Sequence, residues 1–502
     1  MRMRKLLAVS VAMMTSVALA GLADAGPVTT INLLVDVIPN SQSGEEQQNS
    51  EPSIAVNPNN QNQMIVGAFT SIFSPAPTNA TTPFYISNNG GTIWADFGSL
   101  QTLDKSIAFN GSTPLATTLH AIAGGTQIQT FSSTNGLNFN NNINNFSPTG
   151  LDLDQPFIRT GPNNHVYVTY NNLFGFPNAK SASMNVSTDG GVTYATRVLE
   201  TVTPGAGQDG PSVRVAVNGN TVYATFSRWN TLLSTSDGGE RFASQQIVVK
   251  STDGGVTFSA GTQVALANAV FTTSTNSLNS LGQERIGSDN TIAVSRTNAN
   301  RVVTAYVDSP AIGTIQVHVA ESTDGGATWA NKLTTAANVR SAMPAVTILD
   351  DGQVILLFNQ FNPQTNRFSQ HLISTSDDFA TTTDKILGDE TNATPVAQFD
   401  PYQGDWFDLI SLGDTFYGVF SASNADDGNL ANFLLQTPQL YQRCTMGTPG
   451  QPGFHLCDAA FSIDPYFFSG TSFNQVITPW PGTLALLGTS LLGFAALRRR
   501  RK

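Results

Sequence analysis

The sequence predicts an all-β protein, a β-propeller of seven blades with six as the alternative. Three observations carry this. An octapeptide rich in Asp, Gly and Thr recurs along the middle of the chain. A second pattern, an acidic or small residue often followed by Pro and then two short apolar strands, precedes each copy. The 502 residues hold 43 Gly and 25 Pro but only 12% charged residues, so turns are many and a disordered acidic chain is excluded. A period near 50 residues with one aromatic–Gly motif per unit is the mark of a propeller.

The chain opens with Arg2, Arg4 and Lys5, then the apolar run Leu6 to Ala20, then Ala23-Asp24-Ala25. Cations, a short apolar core and small residues at a cleavage site make residues 1–25 a secretory signal peptide, expected as a helix. The propeller is placed at 26–440, its ring closed by an N-terminal strand, Thr30 to Val37, added to the last blade. Residues 441–478 are read as a strap holding the apolar stretch Phe461 to Phe468. In an exported protein the two cysteines are expected as a Cys444–Cys457 disulfide, with two free thiols the alternative.

The clean octapeptides are Ser187 to Tyr194, Ser251 to Phe258 and Ser322 to Trp329. Weaker copies run Ser87 to Trp94, Ser132 to Phe139 and Thr235 to Phe242, and Ser374 to Phe379 is a truncated echo. In each, Asp with Gly-Gly makes a tight hairpin: the carboxylate accepts local N–H groups and Gly takes φ > 0. The upstream units begin at Glu51-Pro52, Asp154-Gln155-Pro156, Asp209-Gly210-Pro211, Asp289-Asn290, Met343-Pro344 and Gly404-Asp405-Trp406. The gap from 51 to 154 is wide enough for one further unit, ending in the degenerate box at Ser132 to Phe139.

These octapeptides resemble the Asp-box, or BNR, repeat of the sialidase superfamily. The resemblance covers roughly residues 50–440 and implies the propeller fold. It also implies that the starts of the innermost strands gather on one face while the Asp-boxes lie on the other. Sialidases hold a substrate carboxylate with three arginines, the first in an Arg-Ile-Pro motif. Here the first blade reads Glu51-Pro52-Ser53-Ile54, and no Arg occurs between Lys5 and Arg159. The resemblance therefore does not extend to the catalytic residues.

On that face Glu51, Asp154, Asp209, Asp289 and Asp405 are expected to form an acidic ring around the mouth. Blade four is irregular, with a long loop from Arg228-Trp229 to about Gln245 and a long connection from Val264 to Ser288. Long loops on a rigid scaffold carry function. The expected site is thus Asp209 and Glu284 as an acid/base pair, Arg228 and Arg285 as carboxylate clamps, and Trp229 as a stacking plate for a sugar.

The five His form no metal-ligand spacing, so no metal and no cofactor is expected; Ca²⁺ on the acidic face stays an open alternative. Pro479-Trp480-Pro481-Gly482, an apolar run to Leu497 and a terminal Arg/Lys cluster follow the strap. This order resembles the PEP-CTERM sorting signal of Gram-negative bacteria, which implies an inner-membrane helix and an exosortase as partner. Trp480 stands where that family has Glu. A plain C-terminal anchor is the alternative. The formal net charge is −11. Without both ends, residues 26–497 carry 16 basic and 34 acidic groups, a formal −18, which excludes a nucleic-acid binder. The sequence reads as an exported or cell-surface propeller that binds a glycan or a protein partner. A divergent glycosidase is the alternative.

Overall fold

A computed structural model describes residues 28–473, apart from 43, 71–80, 147–152, 173–179, 203–212, 235–239, 272–284, 287–288, 312, 393–394, 399–401, 425–444, 447–454 and 457–460. The signal peptide, the sorting segment, Cys444 and Cys457 lie outside the described residues. Among the described residues no helix is long and apolar enough to cross a membrane.

Thr30–Thr471 form one compact unit, distinct from the chain ends, residues 1–29 and 472–502. Of the ends, only the outermost residues of two strands are described.

The strands form meanders, as alternating short apolar runs and Gly/Asn turns require. After β1 (Val28–Asp36), the first sheet stacks β2 (Asn49–Val56), β3 (Met64–Thr70), β4 (Thr81–Ser87) and β5 (Ala95–Gln101). The second has β6 (Lys105–Asn110), β7 (Thr113–Ile122), β8 (Gly125–Ser132) and β9 (Asn141–Phe146). The third has β10 (Leu153–Thr160), β11 (Val166–Asn172), β12 (Lys180–Ser187) and β13 (Ala195–Val202). The fourth has five strands, β14 (Arg214–Asn218), β15 (Thr221–Ser234), β16 (Glu240–Ser251), β17 (Thr262–Phe271) and β18 (Arg285–Ile286).

One eight-stranded sheet follows. It contains β19 (Asn290–Val294), β20 (Val302–Ala311), β21 (Thr314–Ser322) and β22 (Ala330–Thr334), then β23 (Arg340–Ile348), β24 (Val354–Asn362), β25 (Arg367–Thr375) and β26 (Thr383–Thr391). The last sheet begins with β27 (Asp408–Leu412) and β28 (Thr415–Ser423). After the ribbon β29 (Thr445–Met446) and β30 (His455–Leu456), β31 (Ile463–Phe473) completes it in the order β1-β31-β28-β27. The N-terminal strand thus closes the last sheet, as the sequence suggests.

The first strands run side by side around one axis: β2 beside β6, then β10, β14, β19, β23, β27 and back to β2. This is a β-propeller. The expectation of seven separate blades is corrected, because five sheets stand as separate blades. The two four-strand arrays β19–β22 and β23–β26 share the remaining sheet through one parallel bridge, Ile315 with Arg340. β23 starts early enough, at Arg340, to reach the start of β21. Two further expectations are corrected. Phe461 to Phe468 mostly enters β31 rather than a strap. The described part of the long blade-four loop is a hairpin extension: β15 and β16 stay paired out to Ser234 and Arg241, and Phe242 lies in β16 opposite Leu232, while Thr235 to Gly239 lie outside the described residues.

The three clean octapeptides share one geometry. In Ser251 to Phe258, Ser251 Oγ accepts the N–H of Asp253 (3.3 Å) and Gly255 (2.9 Å) and donates to Asp253 Oδ1 (2.7 Å). Asp253 Oδ1 accepts the N–H of Val256 and Thr257, both at 3.0 Å, and Oδ2 accepts Thr257 Oγ1–H at 2.6 Å. The copies at Asp189 and Asp324 repeat this network. The truncated echo forms it too, around Thr375 and Asp377, with Asp378 (φ 60°) and Phe379 (φ 65°) at the two glycine positions.

Each such turn docks on the preceding sheet. Tyr167 of β11 donates to Gly254 O at 3.2 Å. A Cβ at Gly255 would meet Tyr167 and Val186, and one at Gly91 would overlap the Phe467 ring of the last sheet. Trp94 packs edge-on against Phe467 at 5.3 Å. Apolar clusters therefore form between sheets, as in the group joining Ile54, Tyr85 and Trp94 to Tyr417, Val419 and Phe467.

Two predictions follow from the turns. Hydrogen bonds from Thr193 and Thr328 hold Asp189 and Asp324 down to about 2, and Thr257 likewise depresses Asp253. The unfolded values lie near ~4, so this stabilisation is full above about pH 4 and is lost as pH falls toward 2. Thermal melts should show a steep acid limb in that window, and Asp324→Asn should flatten part of it. Secondly, Gly91→Ala meets both positive φ (87°) and the Phe467 ring; it should cost about 4 kcal/mol or more in urea melts. Gly219→Ala, with positive φ but open space, should cost only about 1–2 kcal/mol. Equal costs would contradict the docking.

Candidate functional site at the propeller axis

The start of each innermost strand is where the sequence and the backbone both become unusual. Glu51 (φ 49°), Gln155 (φ 50°) and Met343 (φ 53°) adopt the left-handed region just before Pro52, Pro156 and Pro344. Each sits at a register shift, between Ser50 and Ser53, Asp154 and Phe157, and Ala342 and Ala345. The repeated acidic-or-small–x–Pro signal therefore encodes a β-bulge that turns side chains toward the axis. Gly404 (φ 103°) completes the rim, since a Cβ there would run into the Glu51 backbone. Glu51 N–H donates to Gln403 O at 3.4 Å.

These strand starts bury a cluster of charges: Glu51, Lys105, Arg214, Asp289, Asp405 and Asp408 are each at most 5% exposed. Cations and rings alternate through it. Lys105 Nζ donates to Glu51 O and lies 5.4 Å from the Trp406 ring centre. The Arg214 guanidinium sits 5.2 Å from Trp406 and 4.3 Å from Phe157. Arg159 lies 4.0 Å from the other contact of that chain, Phe157, and its Nη2 donates to Asp408 Oδ1 at 2.7 Å. Asp408 also accepts the N–H of Ile54 (3.1 Å) and Leu409 (3.0 Å). Gln155 Nε2 donates to Asp405 Oδ2 at 2.8 Å. Stacked guanidinium–aromatic contacts and paired carboxylates are how buried charge is tolerated.

Burial lowers Lys105 to about 8, against the opposing pull of Glu51, Asp104 and Asp408. Burial likewise lowers Arg214 to about 10, opposed chiefly by Asp408 and Asp289.

The expected acidic ring is corrected by this arrangement. Glu51, Asp289 and Asp405 do reach the axis, but Lys105, Arg159 and Arg214 stand among them, so the mouth is charge-compensated. Asp154 is only half-buried, and its Oδ1 accepts the N–H of Gln155 at 3.0 Å. Arg228 is not open to a ligand carboxylate: it is paired in two-pronged fashion with Glu200 of the preceding sheet and donates to Gln245 Oε1 at 2.6 Å. Trp229 and Arg285 lie on β15 and β18, with side chains outside the described residues. Asp209 and Glu284 also lie outside them.

Sequence reasoning missed Lys105, Gln155, Phe157, Trp406 and Asp408 and left Arg159 and Arg214 without a role. A signal existed: Lys105 and Arg214 are lone cations at the head of apolar runs, Lys105-Ser-Ile-Ala and Arg214-Val-Ala-Val. Among the described residues no group of three or more His, Cys, Asp or Glu is placed to hold a metal ion.

Stability should respond to the Lys105 ammonium. Below pH 8 both folded and unfolded chains hold this proton; between 8 and 10 only the unfolded chain keeps it, so stability rises with pH at up to about 1.4 kcal/mol per unit. Above pH 10 the sign reverses, because burial holds Tyr167, Tyr170, Tyr223 and Tyr306 up to about 12 while unfolded tyrosines ionise. Lys105→Met should abolish the rise and cost roughly 3 kcal/mol at pH 7, because the axial carboxylates lose a cation. Urea melts at pH 7, 8.5 and 9.5 check this, and a rise that persists in the variant would contradict it.

No family model and no curated protein sequence matches the chain. Among solved structures it is similar to an α-L-arabinofuranosidase from Fusarium graminearum, at 10% identity and TM-score 0.40 over 91% of this chain and 99% of that one. It is similar to an α-L-arabinanase from Penicillium chrysogenum, at 10% identity and TM-score 0.38 over 90% and 98%. It is similar to a neuraminidase-like protein from A/bat/Guatemala/164/2009, at 10% identity and TM-score 0.39 over 66% and 90%. Likenesses this distant say nothing of what this chain binds or acts on.

Proposed function

We propose that the protein is an exported, surface-held or secreted binding propeller of the sialidase-superfamily, Asp-box type. In this reading it recognises a glycan or a protein partner at the axial mouth. Residues 1–25 direct export, and residues 479–502 act as a PEP-CTERM-like sorting segment. One observation carries the site: the strained bulges at Glu51 and Gln155 bond to Lys105 and Asp405 of the buried cluster that holds Arg214 and Trp406. Strain of this kind costs about 1–3 kcal/mol per residue and gathers where function fixes the backbone. Among the described residues, Trp406 Nε1–H and Gln155 Oε1 are buried with no protein partner. A donor, an acceptor and the Arg214 guanidinium between two aromatic rings suit the hydroxyls and carboxylates of an acidic glycan.

The glycosidase reading keeps Asp209 and Glu284, each five residues before an axial residue, Arg214 and Asp289. A glycan array and a panel of chromogenic glycosides and sialosides on residues 26–478 separate the two. Binding without turnover is expected. Arg214→Lys, which keeps the charge but loses the planar stack, should weaken binding about 10-fold or more. Unchanged affinity in Arg214→Lys and Trp406→Phe would move the site elsewhere. Turnover abolished by Asp209→Asn or Glu284→Gln would establish the enzyme instead.

A further inference from the structure

Away from the axis, on the two outermost strands of β23–β26, three side chains are linked in a chain of hydrogen bonds. Ser369 Oγ lies 2.9 Å from His371 Nε2, and His371 Nδ1 lies 2.9 Å from Asp384 Oδ2 and 3.1 Å from Oδ1. An ionised carboxylate only accepts, so Nδ1 carries the imidazole proton and Nε2 is left to accept from the serine hydroxyl. A hydroxyl nucleophile, a base within reach of it and a third group orienting the base are the parts of a serine hydrolase site.

The sheet register explains the placement. Ser369 and His371 are two residues apart on β25 and so share a face. Asp384 pairs with Ile373 and joins the same face from β26. Phe358, opposite His371 on β24, stacks on the imidazole at 5.2 Å and 16° and fixes its plane. Gln360 lies opposite Ser369 on that face. Asp389, also opposite Ser369, is engaged by Arg367 at 2.5 Å, so its charge is compensated. Ser369 is half-buried, the His371 side chain is 9% exposed and that of Asp384 47%. The nucleophile therefore meets solvent while the base is largely enclosed.

We propose that Ser369, His371 and Asp384 form an esterase site for small, unhindered carboxylic esters such as O-acetyl groups. Ser369 Oγ adds to the ester carbonyl carbon as His371 Nε2 takes its proton. The carbon–alkoxide bond breaks, and the leaving oxygen departs as the alcohol with that proton. Water then attacks the acyl-serine, giving its proton to Nε2. The carboxylic acid leaves, and the proton returns to Ser369. Asp384 orients the ring and offsets the imidazolium charge throughout. Ile386, opposite His371 and 41% exposed, offers a small apolar patch, which favours a short acyl group over a long chain.

The test uses the full chain, a fluorophosphonate probe and p-nitrophenyl acetate. A single phosphonyl adduct on Ser369 by peptide mass spectrometry is expected, absent from Ser369→Ala. Asp384→Asn should lower kcat about 10²-fold or more with KM little changed, a split that a packing role would not produce. Thermal melts establish that each variant folds; if His371→Asn does not, the other two suffice. A folded wild-type chain whose Ser369 stays unlabelled, or acetate hydrolysis equal in wild type and Ser369→Ala, would overturn the proposal.

Discussion

The ring depends on the docking of each octapeptide turn against the sheet before it. A four-stranded sheet alone exposes two faces and cannot bury either. A tight turn at its outer hairpin, flat because two glycines carry no Cβ, lets the next sheet approach closely. Gly255 lies against Tyr167 and Val186, and Gly91 against Phe467. The hydroxyl hub at Ser187, Ser251 or Ser322 sets the turn's shape from within. The position matters more than the glycine: at Asp378 and Phe379 the same turn forms with side chains in the left-handed region, held by Thr375 and Asp377.

These turns lie at one end of the first strands, and the charged cluster lies at the other. The turn glycines bond to the first hairpin loop of their own sheet, as Gly190 N–H does with Asn164 O and Gly325 N–H with Asn300 O, both at 2.9 Å. That loop follows the first strand, whereas Glu51, Lys105, Gln155 and Arg214 stand at or near its beginning. The two ends therefore divide the work. Stapling at one end fixes the sheets. That fixation lets the other end hold left-handed residues and buried charge, which a freely adjusting backbone would relax.

The propeller was legible because its signal is local and repeated. A hairpin turn writes its needs into consecutive residues, and a copy per sheet averages out the weak ones. The pairing of β1 with β31 was legible for the same reason, as an unpaired apolar strand before the first unit. What joined β21 to β23 was not, because one parallel bridge between Ile315 and Arg340 leaves no pattern in either strand. At the axis the acidic residues were legible and their partners were not. Glu51, Asp289 and Asp405 stand at the head of repeated units, while Lys105 and Arg214 open β6 and β14 as lone cations with no repeated motif and Arg159 reaches the same space from near the end of β10. Arg228 illustrates the converse: its sequence neighbourhood beside Trp229 suggested a ligand, but Glu200, 28 residues away on the adjacent sheet, takes its fork.

The charge of the axis follows from this geometry. Six of the seven first strands, all but β23, bring charged residues into one small volume, and like charges there would repel across a low-dielectric interior. The carboxylates that begin the repeats can stay ionised only if the intervening strands bring cations, and Lys105 and Arg214 each begin such a strand. Trp406 lies between Lys105 and Arg214, and Phe157 between Arg214 and Arg159, their ring faces drawing the positive groups inward. The cluster is thus assembled by ring closure and belongs to no single sheet. A change to its electrostatics is felt by every strand around the axis, which makes this mouth the place where a bound anion would couple most directly to the stability of the whole ring.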